Sequence, residues 1–181
     1  DHDATCDAIS YGSLMGARGN SGVILSQILR GLASTLKTQA ENSGHKVADA
    51  LTAASAGAYQ AVLKPIEGTI LTVVRESADA AKAASADGGS LVDVLRAARA
   101  AGKSALDNTP ELLPVLKDAG VVDAGGAGYL LLLDSALHVV DGVPLPAADA
   151  ELSEYGEGPA GERFEAIAHR HSTVDGALDV R

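Results

Sequence analysis

The sequence predicts an all-α fold, and three observations carry that prediction. Apolar residues recur at three- and four-residue spacing through most of the chain. Alternation with a period of two is nowhere sustained, and aromatic residues make up only 3% of the total. Glycine-containing breaks are short, so successive helices should pack as antiparallel neighbours. At 181 residues the chain suits one domain with a core of its own, with room for an appendage.

The helices follow in order. "GVILSQILRGLASTL" sets Ile24, Ile28, Gly31, Leu32 and Thr35 on one face. "KVADALTAASAGAYQAVLK" aligns Val47, Leu51, Ala54, Ala58 and Val62, after a linker-like turn that holds His45. "TILTVVRESADAAKAASA" offers Ile70, Val73, Val74, Ser77 and Ala81 before "DGG" stops it. "SLVDVLRAARAAGKSAL" is the clearest, with Leu91, Val94, Leu95, Ala98, Ala101, Ala105 and Leu106. Its Ser90 and Asp93 resemble a capping box in which Asp replaces the usual Glu. "TPELLPVLKDAG" has Pro110 in its first turn and closes on Gly120. "GGAGYLLLLDSALHVVD" is the last helix. Inner faces rich in Ala and Gly let such helices approach closely, while burying little apolar area per residue.

From about Pro144 the texture changes to Pro, Gly and charge, with a short apolar pattern at Phe164 and Ile167. Residues 1–143 therefore read as the helical domain, and 144–181 as a linker and the start of a following module. The net charge of −10 argues against a nucleic-acid surface. A single cysteine, Cys6, excludes an internal disulfide and a cysteine-based metal site, which fits a cytoplasmic setting. The most apolar run, "GYLLLLDSALHVV", is broken by Asp134 and His138 and is too short to span a membrane. "DHDATCD" has neither the basic start nor the apolar centre of a signal peptide, and no initiator Met, so a processed chain or a fragment is expected. The histidine pair His169 and His171 is read as exposed polar tail, and no histidine is given a role.

Three helix starts have a chemistry in common. In "LMGARGNSGVILSQILRGL" the glycines Gly19 and Gly22 flank Asn20 and Ser21, with Arg18 beside them. The first amides of a helix lack internal partners and carry partial positive charge. Glycines let those amides close on an anion, and Asn20 and Ser21 add donors. The loop lacks the Gly-Lys-Ser/Thr of a Walker A motif and no strand precedes it, so a plain N-cap at Asn20 or Ser21 remains the alternative. "GVVDAGGAGYL" contributes Asp123, Ala124 and Gly125 before the last helix. Asp123 can accept hydrogen bonds from a ribose or an amide. "KPIEGTILTVV" contributes Gly68, Thr69 and Ile70, with Thr69 a natural N-cap. A bundle can bring alternate helix ends to one rim.

These three blocks, "LMGARGNSGVILSQILRGLA", "GAYQAVLKPIEGTILTVVRESA" and "TPELLPVLKDAGVVDAGGAGYLLLL", resemble the nucleotide-binding (DhaL-like, DAK2-type) domain shared by the dihydroxyacetone kinase L-subunit and the A component of bacterial fatty acid kinase. They lie in the family's order between Leu14 and Val140, and are more similar to the fatty acid kinase type. The resemblance implies a barrel of antiparallel amphipathic helices with ATP or ADP at one end. It implies that Gly19, Asn20, Ser21 and Gly22 adjoin the phosphates, and that Gly68, Thr69, Ile70, Asp123, Ala124 and Gly125 border the nucleotide. No residue is assigned a catalytic role.

The sequence also departs from that family. The upstream "PDGDTG" motif, whose aspartates hold two Mg2+ ions, is not in this chain. Asp1, His2, Asp3 and Asp7 are compatible with a hard metal but lack the motif's glycines, so they are not expected to replace it. Mg2+ is expected only where that motif is present, and the chain alone is expected to give no turnover. The resemblance implies a kinase that makes acyl phosphate from a fatty acid held by a DegV-like fatty-acid-binding partner protein, and leaves a homodimer open. Two alternatives remain: the nucleotide-binding subunit of a glycerone (dihydroxyacetone) kinase, and a non-catalytic helical module for a nucleotide or lipid.

Overall fold

A computed structural model describes residues 1–37 and 43–146; the tail beyond, with most of the expected linker and His169 and His171, lies outside the described residues. Among the described residues every regular element is a helix: α1 (His2–Gly16), α2 (Gly19–Lys37), α3 (Gly44–Gln60), α4 (Ile70–Ala86), α5 (Leu91–Asp107), α6 (Thr109–Leu112), α7 (Pro114–Ala119) and α8 (Ala124–Asp141). None is long and apolar enough to cross a membrane.

α1 covers a stretch in which the sequence suggests no element. Asp1 starts it by accepting a hydrogen bond from the Asp3 amide at 3.2 Å, and Cys6 is its one buried side chain. Asp7 is taken by Lys37 at 2.7 Å, which pins α1 to the far end of α2. α3 begins earlier than expected because Ser43 caps the Lys46 amide, drawing His45 from the supposed turn into the first helical turn. α4 is capped by Thr69, and α5 by the Ser90–Asp93 box with both reciprocal bonds present. The single helix expected over "TPELLPVLKDAG" is two. Pro114 disfavours a helical conformation at the residue before it, and Leu113 is accordingly extended (φ −127°, ψ 100°).

The long helices run as an up-and-down bundle in which α1 lies on α2, α2 on α3, α3 on α4 and α4 on α5. α8 returns to close on α5 and α4. The core gathers Ile28, Leu51, Val73, Val74, Val94 and Tyr129 among buried alanines. Small residues set the spacing. A methyl placed on Gly31 would lie 2.7 Å from the Ala54 backbone, so α2 and α3 meet main chain to main chain. α5 and α8 are locked by the Arg99–Asp134 pair, with Nε to Oδ1 at 2.7 Å and both side chains largely buried. This antiparallel order puts the N-termini of α2, α4 and α8 and the C-terminus of α3 at one end.

Candidate functional site

At that end lies a cavity of about 490 Å³. α2 contributes Asn20, Ser21, Val23 and Ile24, the α3–α4 connection contributes Ala61 to Lys64, Ile66 and Thr69, and α4 contributes Ile70 and Leu71. Asp123, at the start of α8, completes the wall. Five sequence candidates, Asn20, Ser21, Thr69, Ile70 and Asp123, therefore line one space, although more than fifty residues of chain separate Thr69 from Asp123.

The three helix ends are built differently. α2 starts at Gly19, whose φ of 63° turns the chain into the helix. Asn20 and Ser21 are thus inside the first turn, beyond the capping position, and both are exposed toward the cavity side. Thr69 and Asp123, by contrast, are true N-caps: the Leu71 amide donates to Thr69 at 3.3 Å and the Gly126 amide to Asp123 at 2.7 Å. The Asp123 amide is itself held by the buried Thr109 hydroxyl at 3.1 Å, which ties α8 to the end of α5.

The remaining candidates adjoin the cavity in sequence without lining it. Gly68 is buried at a φ of 79°, where a methyl would sit 2.9 Å from the Cβ atoms of Leu112 and Leu113; its glycine serves the turn and the packing of α6. Gly125 faces Ile70 and lets α8 approach α4, while Ala124 is exposed and Gly22 makes only ordinary contact with Ala17. Two features were not singled out from the sequence. Lys64 puts a cation on the rim, signalled only by a lone basic residue between a helix and a glycine turn. Behind the wall, Glu67 accepts from Tyr59 at 2.9 Å and from Thr72 at 2.6 Å, and pairs with Arg75 at 3.3 Å.

Burial acts to raise the Glu67 pKa, but the hydrogen bonds from Thr72 and Tyr59 and the Arg75 charge outweigh it and hold the carboxyl below its ordinary value. Burial and the bond to Glu67 push the Tyr59 hydroxyl up to about 12.

Chemically the cavity can bind an anion. The starts of α2 and α4 with their partial positive charge, the Lys64 ammonium and the Asn20 and Ser21 side chains adjoin it, beside an apolar wall of Val23, Ile24, Val62, Ile66 and Leu71, while the Asp123 carboxylate caps the start of α8. It does not fit a divalent cation. Asp123 is the only carboxylate in the lining and already accepts from Gly126. No group of three metal-ligating side chains exists among the described residues.

The model of the DAK2 domain matches residues 1–138. Protein YloV of Bacillus subtilis is 45% identical over 139 residues, covering 77% of this chain and 25% of YloV. Uncharacterized proteins of Staphylococcus saprophyticus and Staphylococcus epidermidis are 41% and 44% identical over 145 and 143 residues. Those matches cover 80% and 79% of this chain and 26% of each relative, so the chain spans about a quarter of the length of the relatives it matches.

Proposed function

The chain belongs to the DAK2 domain family, and from that premise we propose that it is the nucleotide-binding module of a fatty-acid-kinase-type phosphotransferase. The observation that supports this reading most is the convergence of the α2, α4 and α8 N-termini on one cavity carrying Asn20, Ser21, Thr69, Asp123 and Lys64. First-turn amides and Lys64 hold the phosphates of ATP or ADP, Asp123 accepts from the nucleoside, and the apolar wall takes the base.

In the reaction so proposed, a carboxylate oxygen of a fatty acid attacks the γ-phosphorus, the bridging P–O bond to the β-phosphate breaks, and ADP leaves with those electrons. The product is an acyl phosphate. The acceptor comes on a separate, DegV-like fatty-acid-binding protein. This chain's own part is to bind and orient the donor. With a single carboxylate in the lining, no metal-dependent step is assigned to its residues, and the chain alone binds nucleotide without turnover.

Calorimetric titration of ATP and of ADP, in magnesium and then in EDTA, tests the reading. Binding in both buffers is expected, weakened severalfold by Ser21→Ala and by Asp123→Asn, which changes the charge while retaining an oxygen for the cap. Absence of binding in either buffer overturns it.

A further inference from the structure

A second acidic side chain, next in sequence to the cavity lining, is engaged away from it. Glu67 sits in the α3–α4 connection, between the lining residues Ile66 and Thr69, but its carboxylate is engaged by α3 and α4. Oε1 accepts from the Tyr59 hydroxyl at 2.9 Å and from Arg75 Nη1 at 3.3 Å, and Oε2 accepts from the Thr72 hydroxyl at 2.6 Å. The Thr72 oxygen in turn accepts from the buried Gly68 amide at 2.8 Å. One residue on, the Thr69 hydroxyl donates to the Ile66 carbonyl at 2.8 Å. The stretch from Ile66 to Thr69 is thus tied down at each residue.

The direction of these bonds depends on the carboxylate. A threonine hydroxyl has one proton; giving it to Glu67 leaves an oxygen lone pair facing the Gly68 N–H. An ionised carboxylate only accepts, so it fixes that orientation, and its hydrogen bonds are the stronger kind. Gly68 stands at a φ of 79°, a conformation that its amide bond to Thr72 helps to fix. What the relay ties is the Ile66–Thr69 part of the lip, whose Ile66 and Thr69 line the cavity together with Asn20 and Ser21.

We propose that Glu67 is a positioning residue, which through Thr72 and the Gly68 amide sets the lip of the cavity against the start of α2 and thereby the affinity for the nucleotide phosphates. The inference rests on the nucleotide reading above. It predicts that removing the relay weakens binding although neither Glu67 nor Thr72 touches the ligand.

Three variants, Thr72→Val, Thr72→Ser and Tyr59→Phe, test it by calorimetric titration with ATP and by amide hydrogen exchange at Gly68. Thr72→Val keeps the shape and loses the hydroxyl; it should bind about tenfold more weakly and exchange the Gly68 amide faster. Thr72→Ser restores the hydroxyl and should bind within about twofold of the unaltered chain. Tyr59→Phe removes one bond at a half-buried side chain and should cost roughly threefold, which keeps the test decisive if Thr72→Val does not fold. Unchanged affinity in Thr72→Val overturns the proposal, as does unchanged affinity in Tyr59→Phe where Thr72→Val does not fold, or a Thr72→Ser variant as weak as Thr72→Val. If the unaltered chain binds no ATP, the nucleotide reading falls and takes this inference with it; if it binds and the variants match it, only this inference falls.

Discussion

Gly68 and Gly19 look alike in the sequence, each a glycine just before a helix, but the structure separates them. Both have a left-handed φ, 79° and 63°. Gly19 has open space where a methyl would go, whereas Gly68 has Leu112, Leu113 and the Thr109 carbonyl within 3.0 Å. Gly19→Ala should therefore cost about 1–2 kcal/mol of backbone strain alone. Gly68→Ala adds overpacking of α6 and should cost roughly 3–4 kcal/mol. Chemical denaturation of the two variants checks the difference, and equal losses would refute the packing argument. The same contrast marks what could be read at this scale. Asn20, Ser21, Thr69 and Asp123 were legible because their side-chain chemistry at a helix start is a local pattern. The work done by Gly68 and Gly125 was not, since their neighbours, Leu112 and Ile70, are far along the chain.

Helix boundaries follow the caps more than the apolar periodicity. The Ser90–Asp93 box could be read directly, because both partners lie within one turn. The start of α1 at Asp1 could not, because α1 has a single buried side chain and so almost no apolar stripe to detect. The break at Leu113 was signalled by Pro114 and yields two helices in place of one. Two expectations belong to this scale. Ser90→Ala should cost about 1 kcal/mol, read as a lower denaturation midpoint with an unchanged slope. Asp134→Ala removes two charge-assisted hydrogen bonds of the Arg99 guanidinium and should cost about 2 kcal/mol, whereas the double change Arg99→Met with Asp134→Leu should recover most of the loss. A double variant as unstable as Asp134→Ala would mean the pair holds more than its own desolvation.

For the whole molecule, the candidate site exists only after folding, because its walls come from α2, the α3–α4 connection and α8. The sequence suggested that helix ends would meet, from the recurrence of small, donor-rich starts. It did not show Lys64 or Glu67, whose importance depends on which residues lie opposite them. Glu67 also links the site to acid stability. Its carboxyl is held below its ordinary 4.5, so the unfolded chain takes up that proton more readily than the folded one. The stabilisation is complete above about pH 4.5 and is lost as the pH falls through the lower folded value. Thermal melts between pH 3 and 7 should show a shallower acid-side decline in Glu67→Gln than in the unaltered chain; parallel curves would exclude Glu67 as a source of the slope. The Gly31–Ala54 contact extends the argument beyond the cavity. Gly31 lies twelve residues from Gly19, about 18 Å along α2, and no side chain there can act on the ligand directly. It is nonetheless a point where α2 meets the α3 main chain directly. Any bulk inserted at that point prises the helix from α3, and the long arm on the cavity side swings Asn20 and Ser21 relative to Lys64. Substitution at this point remote from the cavity is thus expected to alter the aperture of the site with every lining residue left as it is.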